Sequence, residues 1–254
     1  MPDIDRYAEG APCWADLVTP DLNGSAAFYG DLFGWERVDA GSTYCTMTLD
    51  GHLICAMNAM PRERRRAGAP AGWLVYLSTG DLTATLAAIP GAGGAIRVPA
   101  VGVPGVGRMA LIEDPSGANV ALWQPGGRIG SDIRGDAGAM SWHELVTPDP
   151  SAAARFLEEV FGLTSAASQW TDESLVMNGP EGPVCGLVTM TDQWEPGTPA
   201  HWVTYFSVVD TDDAAGHVRE LGGTVLAEPV DAPGGRISVV RDPQGGVFTI
   251  VAPD

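Results

Sequence analysis

The stretch SWHELVTPD, residues 141–149, sets His143 beside Glu144 just ahead of a Thr-Pro-Asp turn. A histidine next to a glutamate suggests a metal site or an acid–base pair. The chain carries its own control, because residues 13–21 read CWADLVTPD. Both copies hold a tryptophan, an acid two residues later and a turn, but Ala15 stands where the second copy has His143. In a strand, neighbouring side chains point to opposite faces, so His143 and Glu144 cannot share one ion. Trp14, Asp16 and Val18 share a face, as do Trp142, Glu144 and Val146. A histidine that its twin replaces with alanine reads as a structural or rim residue.

These short matches belong to an internal repeat. Trp14, Leu17, Val18, Thr19, Pro20 and Asp21 recur 128 positions later as Trp142, Leu145, Val146, Thr147, Pro148 and Asp149. The same offset relates Phe28 to Phe156, Gly107-Arg108 to Gly235-Arg236, and the D-P-x-G turn at 114–117 to that at 242–245. Between these anchors Cys55 matches Cys185 and Tyr76 matches Tyr205, as hairpin loops differing by one or two residues would produce. The expectation is two homologous domains, 1–127 and 128–254, joined by the glycine-rich linker GGRIGSDIRGDAGA at 126–139. Each domain divides again. A strand ends at an aspartate turn, a helix-like stretch follows (Ser25–Phe33, closed by glycine), and short strands come next, including a hairpin at Asp50-Gly51. The order then restarts at WLVYLST. The coarse reading is βαβββ four times over, an α+β chain.

Composition narrows the partners. The net charge of −18 argues against nucleic acid, since a polyanion is repelled at long range. The one basic run, PRERRR at 61–66, lies between apolar segments and reads as a solvated linker. No apolar run approaches the ~18 to 20 residues of a membrane span, and the N-terminus lacks a basic region followed by an apolar stretch, so a cytoplasmic protein, monomer or homodimer, without membrane contact is expected. The four cysteines show no C-x-x-C spacing and read as buried free thiols.

The strand–Pro-Asp–helix opening, the A-x-F-[YL]-x-x-x-F-G helix and the closing D-P-x-G, all duplicated, resemble the vicinal oxygen chelate superfamily, which includes glyoxalase I, bleomycin-resistance proteins and extradiol dioxygenases. The tandem arrangement is similar to a branch holding the mycobacterial 27 kDa antigen and related glyoxalase-like or hydroxylase proteins. The resemblance implies that paired βαβββ modules curl into a cup-like mixed sheet with helices outside. Metal-using members place ligands on the first strand of each module and on its last. The matching positions here are Trp14, Leu74 and Ala121, and Trp142, Val203 and Thr249. None supplies the imidazole or carboxylate that a divalent ion of this superfamily wants. The expectation is therefore no metal and no cofactor.

If the tryptophans face the cups, so do Asp16 and Glu144, and by the same alternation Tyr76, Tyr205 and His201. Each cup then holds an acid, a tyrosine and a tryptophan, with modules pairing either within a domain (Asp16 with Tyr76, Glu144 with Tyr205) or across domains. An apolar cavity with a few convergent polar groups suits a small organic ligand. Asp16, Glu144, Tyr76 and Tyr205 are the catalytic candidates, and Trp14, Trp142, Arg108, Arg236 and His201 the ligand-binding ones. The acid–tyrosine pairs can equally be strand-fixing hydrogen bonds, and the arginines can pair with surface acids. The leading reading is a metal-independent binding protein for an aromatic or polyketide-like metabolite. The alternatives are a cofactor-free isomerase, cyclase or lyase, and then a metal-dependent lyase or dioxygenase.

Overall fold

The computed structural model describes residues 4–39, 41–169, 174–191, 194 and 197–254. The first domain runs β1 (Pro12–Thr19), α1 (Leu22–Phe33), β2 (Glu36–Asp39), β3 (Tyr44–Leu49), β4 (His52–Ala59), α2 (Arg62–Arg66), β5 (Gly72–Ser78), α3 (Leu82–Ala88), β6 (Ala95–Val103), β7 (Gly107–Glu113) and β8 (Asn119–Pro125). The second runs β9 (Met140–Thr147), α4 (Pro150–Phe161), β10 (Thr164–Ala167), β11 (Leu175–Gly179), β12 (Gly182–Thr189), β13 (His201–Ser207), α5 (Thr211–Glu220), β14 (Thr224–Ala232), β15 (Gly235–Arg241) and β16 (Val247–Ala252). The four βαβββ modules appear in order. The basic run is a difference: it forms the short, fully exposed helix α2 rather than a loop.

Each module's aspartate turn has a mechanical role. Asp21, Asp81, Asp149 and Asp210 cap helices α1, α3, α4 and α5, their side chains accepting backbone N–H groups of the first turn. Gly34 and Gly162 end α1 and α4 with φ of 76° and 68°, the left-handed conformation that glycine adopts at least cost.

The strands form two eight-stranded mixed sheets, β2-β3-β4-β1-β5-β8-β7-β6 and β10-β11-β12-β9-β13-β16-β15-β14. Modules pair within a domain. The first strands of the two modules lie antiparallel at the centre of each sheet, setting Trp14 opposite Tyr76 and Trp142 opposite Tyr205.

The helix-covered faces of the two domains share their cores. Tyr29, Phe33 and Trp35 of the first domain pack with Phe206 and Phe248 of the second, the Tyr29 and Trp35 rings stacked at 5.3 Å. The Tyr29 hydroxyl donates to Asp242 Oδ2 across the interface at 3.0 Å. On the other side of the interface, α4 contributes Phe156, Leu157 and Phe161 to a cluster with Val75, Leu77 and Ile89. There Leu157 holds the position 128 residues after Tyr29, and Asp114 Oδ2 is buried without a partner among the described residues.

The segment expected as the linker packs against the first domain. Ser131 and Ile133 are buried, Ser131 N donates to Cys13 O, and Asp132 bridges to the Leu53 backbone through both its N–H and its carboxylate. Its glycines serve close approach: a Cβ at Gly130 would stand 2.4 Å from Cys13 O, and one at Gly138 2.9 Å from Phe33 O. A glycine-rich run thus reads as a linker by composition while its lack of side chains is what lets it lie against the first domain.

Candidate functional site

The alternation of β1 and β9 places the acids as expected. Ala15 and Leu17 are buried on the helix side, while Asp16 faces the other way with Trp14. Asp16 is 9% exposed and collects three donors: Trp14 Nε1 on Oδ1 at 2.8 Å, and on Oδ2 both the Tyr76 hydroxyl at 2.6 Å and Asn58 Nδ2 at 3.1 Å. Burial raises its pKa, and the hydrogen bonds from Tyr76, Trp14 and Asn58 partly offset that. Tyr76 rises too, by burial and by the adjoining Asp16 charge. Asn58 reaches the site because β4 pairs with β1, Asn58 lying beside Val18.

The second cup repeats the pair with a longer acid. Glu144 is 8% exposed, and the Tyr205 hydroxyl donates to its Oε2 at 2.5 Å. Burial raises the Glu144 pKa against the hydrogen bonds from Tyr205 and Trp142. Tyr205 is pushed up by burial and by Glu144, while Thr249 lowers it. Gly186 makes room for the extra methylene: a Cβ there would lie 2.9 Å from Glu144 Cγ and 3.3 Å from Trp142 Nε1, whereas the shorter Asp16 tolerates Ala56 at the equivalent place.

The two cups differ in what surrounds the pair. Around Asp16 stand Tyr44 and Asn58, and Tyr76, Trp123, Ala121 and Cys13 form one cluster with Tyr7 and Trp14 against it. The equivalent residues in the second domain are Ser174, Val188 and Val251: Ser174 and Val251 are smaller than Tyr44 and Trp123, and Val188 lacks the amide of Asn58. The second cup holds a partly open cavity of about 130 Å³ bounded by Trp142, Glu144 and Tyr205, with Leu175, Val176, Leu187, Val188 and Ile237 as apolar wall and Ser168 and Ser174 as polar edge. A larger surface groove of about 580 Å³, between the segment after α2 and the β15–β16 turn, is wide and polar and holds neither acid–tyrosine pair.

The other sequence candidates lie elsewhere. Arg236 is held by Asp212 and Asp231 on the outside of the sheet, and the exposed Arg108 donates to Gln124 at 3.2 Å. His201 opens β13, with Nδ1 2.9 Å from Pro199 O and its ring 5.3 Å from that of Trp194. His143 is buried on the helix side, 1% exposed, with neither ring nitrogen partnered among the described residues, and burial lowers its pKa to about 3. Asn58, Tyr44 and Trp123, and their counterparts in the second domain, belong to no motif in the sequence. Carrying the Cys55–Cys185 offset three residues on would have set Asn58 against Val188.

Residues 143–251 match the glyoxalase-like domain, and residues 5–122 match the glyoxalase/bleomycin resistance protein/dioxygenase superfamily. The chain belongs to this superfamily. Its relatives include CFP32 of Mycobacterium tuberculosis, 36% identical over all of this chain and 98% of that protein. The anthracycline biosynthesis protein DauV of Streptomyces sp. strain C5 is 38% identical over 98% of this chain and 95% of its own. Two solved members share the fold. The Mn(II)-bound glyoxalase of Novosphingobium aromaticivorans has a TM-score of 0.68 at 14% identity, covering 96% of this chain and 82% of that one. The 2,3-dioxygenase LapB of Pseudomonas sp. KL28 has a TM-score of 0.65 at 15% identity, covering 97% and 93%.

A divalent metal of the kind this superfamily uses does not fit the residues present. Each cup offers one carboxylate beside a phenol and an indole, and an indole N–H is a donor only. Among the described residues no three His, Cys, Asp or Glu side chains converge as such a centre needs.

Proposed function

We propose that this chain is a metal-independent binding protein for a small, largely apolar metabolite of aromatic or polyketide-like character, held in the second cup against Trp142, Glu144 and Tyr205. The observation that carries this reading is the cavity beside a buried acid, lined by Ser174 and Val188 where the first domain has Tyr44 and Asn58. About 150 Å³ of apolar cavity takes up benzene, so the second cup is sized for one ring of its ligand. The Streptomyces relatives named for anthracycline biosynthesis support a metabolite of this general kind. Calorimetric titration of EDTA-treated protein with one-ring aromatic compounds tests the reading. Saturable binding that survives the chelator is expected, and binding that appears only when a divalent metal is restored contradicts it.

A second reading has its own observation: the raised pKa of Glu144 and its direct hydrogen bond to Tyr205 make an acid–base pair able to relay a proton to a bound compound. On that reading the protein is a cofactor-free isomerase, cyclase or lyase. Glu144→Gln abolishes turnover of a converted compound if this is right, and turnover that persists in the variant removes it.

A further inference from the structure

The first cup shows what completes the acid, and the second lacks one of its parts. Asp16 Oδ2 accepts two hydrogen bonds, from the Tyr76 hydroxyl and from the Asn58 amide. Glu144 Oε2 accepts the corresponding bond from Tyr205. Val188 occupies the position equivalent to Asn58, pairing with Val146 on β9 as Asn58 pairs with Val18 on β1. Valine has no donor, so among the described residues Oε2 keeps a lone pair that the first cup satisfies from within the protein. Buried carboxyl oxygens are normally supplied with donors, because leaving them short is costly.

Val188 lines the cavity, as does Ser174, which replaces the Tyr44 that pairs with Asn58 across the first sheet. The space and the missing donor therefore lie together. Gly186 lines the cavity as well, although a Cβ there would first meet the longer Glu144 side chain.

We infer that the second cup's ligand donates a hydrogen bond to Glu144 Oε2 in place of the Asn58 amide, and that the ligand is an aromatic ring bearing a hydroxyl group. This rests on the reading of the second cup as the binding site. The apolar wall of Leu175, Leu187, Val188 and Ile237 takes the ring, and the hydroxyl reaches the acid. The first cup completes its acid from its own side chains, so one ligand binds per chain.

Phenol and toluene separate the two claims, because they match in shape and differ in the donor. Ligand-observed NMR titration of the full chain is expected to show phenol binding at least tenfold tighter than toluene, against the greater hydrophobicity of toluene. Val188→Asn, which installs the residue already tolerated at Asn58, is expected to weaken phenol at least tenfold and toluene by less. Asn58→Val is expected to leave phenol binding unchanged. If toluene binds as well as phenol and Val188→Asn weakens both alike, the hydroxyl inference fails while the binding reading stands. If neither compound binds the wild-type protein, both fail.

Discussion

At the scale of residues, the chain holds an acid at the same place in each domain, in two states of completion. Asp16 is tied by three donors and reads as a strand-fixing group, while Glu144 adjoins open space. Glu144→Gln is therefore expected to weaken binding of a hydroxyl-bearing aromatic at least tenfold, a hydrogen bond to a charged group contributing roughly 1.5–3 kcal/mol. Asp16→Asn is expected to leave binding within about twofold and to lower stability, as read by calorimetry and denaturant melts of the two variants. His143 makes a different kind of prediction. Its pKa is about 3 in the fold against an ordinary 6.5, so the unfolded chain binds the extra proton first. Its contribution is complete above pH 6.5 and is lost as pH falls toward 3. His143→Ala, which copies Ala15, is expected to flatten the loss of stability on acidification across that window, measured as the difference from wild type because Asp16 and Glu144 titrate in the opposite sense. An unchanged pH profile would contradict the burial of this imidazole. The tempting His143–Glu144 pair was legible as a false lead from the sequence, since pleat alternation alone separates the two. The contrast between Asn58 and Val188 was harder to see, because it depends on strand pairing across β1/β4 and β9/β12 rather than on any local motif.

At the scale of elements, repeated turns carry the architecture. Each strand-ending aspartate caps the helix that follows, and this is why the aspartate turn marked every module so clearly in the sequence. Asp149→Ala is expected to cost about 1 kcal/mol of stability in urea unfolding, as loss of an N-cap does elsewhere. A change below about 0.3 kcal/mol would argue that Pro150 and the packing of α4 hold the helix start without it. Composition misled where it stood in for geometry. The glycines at 130 and 138 look like flexibility, yet they allow backbone contacts that any side chain would block. The arginine-rich run has helix-forming residues and forms one short turn of helix, with no buried residue to lengthen it.

At the scale of the whole molecule, two copies of one domain have diverged inside a shared core. The aromatic cluster of Tyr29, Phe33, Trp35, Phe206 and Phe248 draws on both domains, so the chain is expected to unfold in one cooperative transition. Two separated calorimetric transitions would contradict that coupling. Duplication and fold were plain from the repeat, but the cavity of the second cup was not, because both copies carry an acid, a tyrosine and a tryptophan at matching places. The differences lie around that trio, in the change from Tyr44 to the smaller Ser174 and from the amide of Asn58 to Val188. The central claim, a metal-free site in the second cup alone, is tested most directly by calorimetric stoichiometry of a one-ring hydroxyaromatic on EDTA-treated protein, for wild type and the double variant Ser174→Tyr/Val188→Asn. One molecule per chain in the wild type and none in the variant is the predicted result. Two molecules per chain, or undiminished binding in the variant, would contradict it.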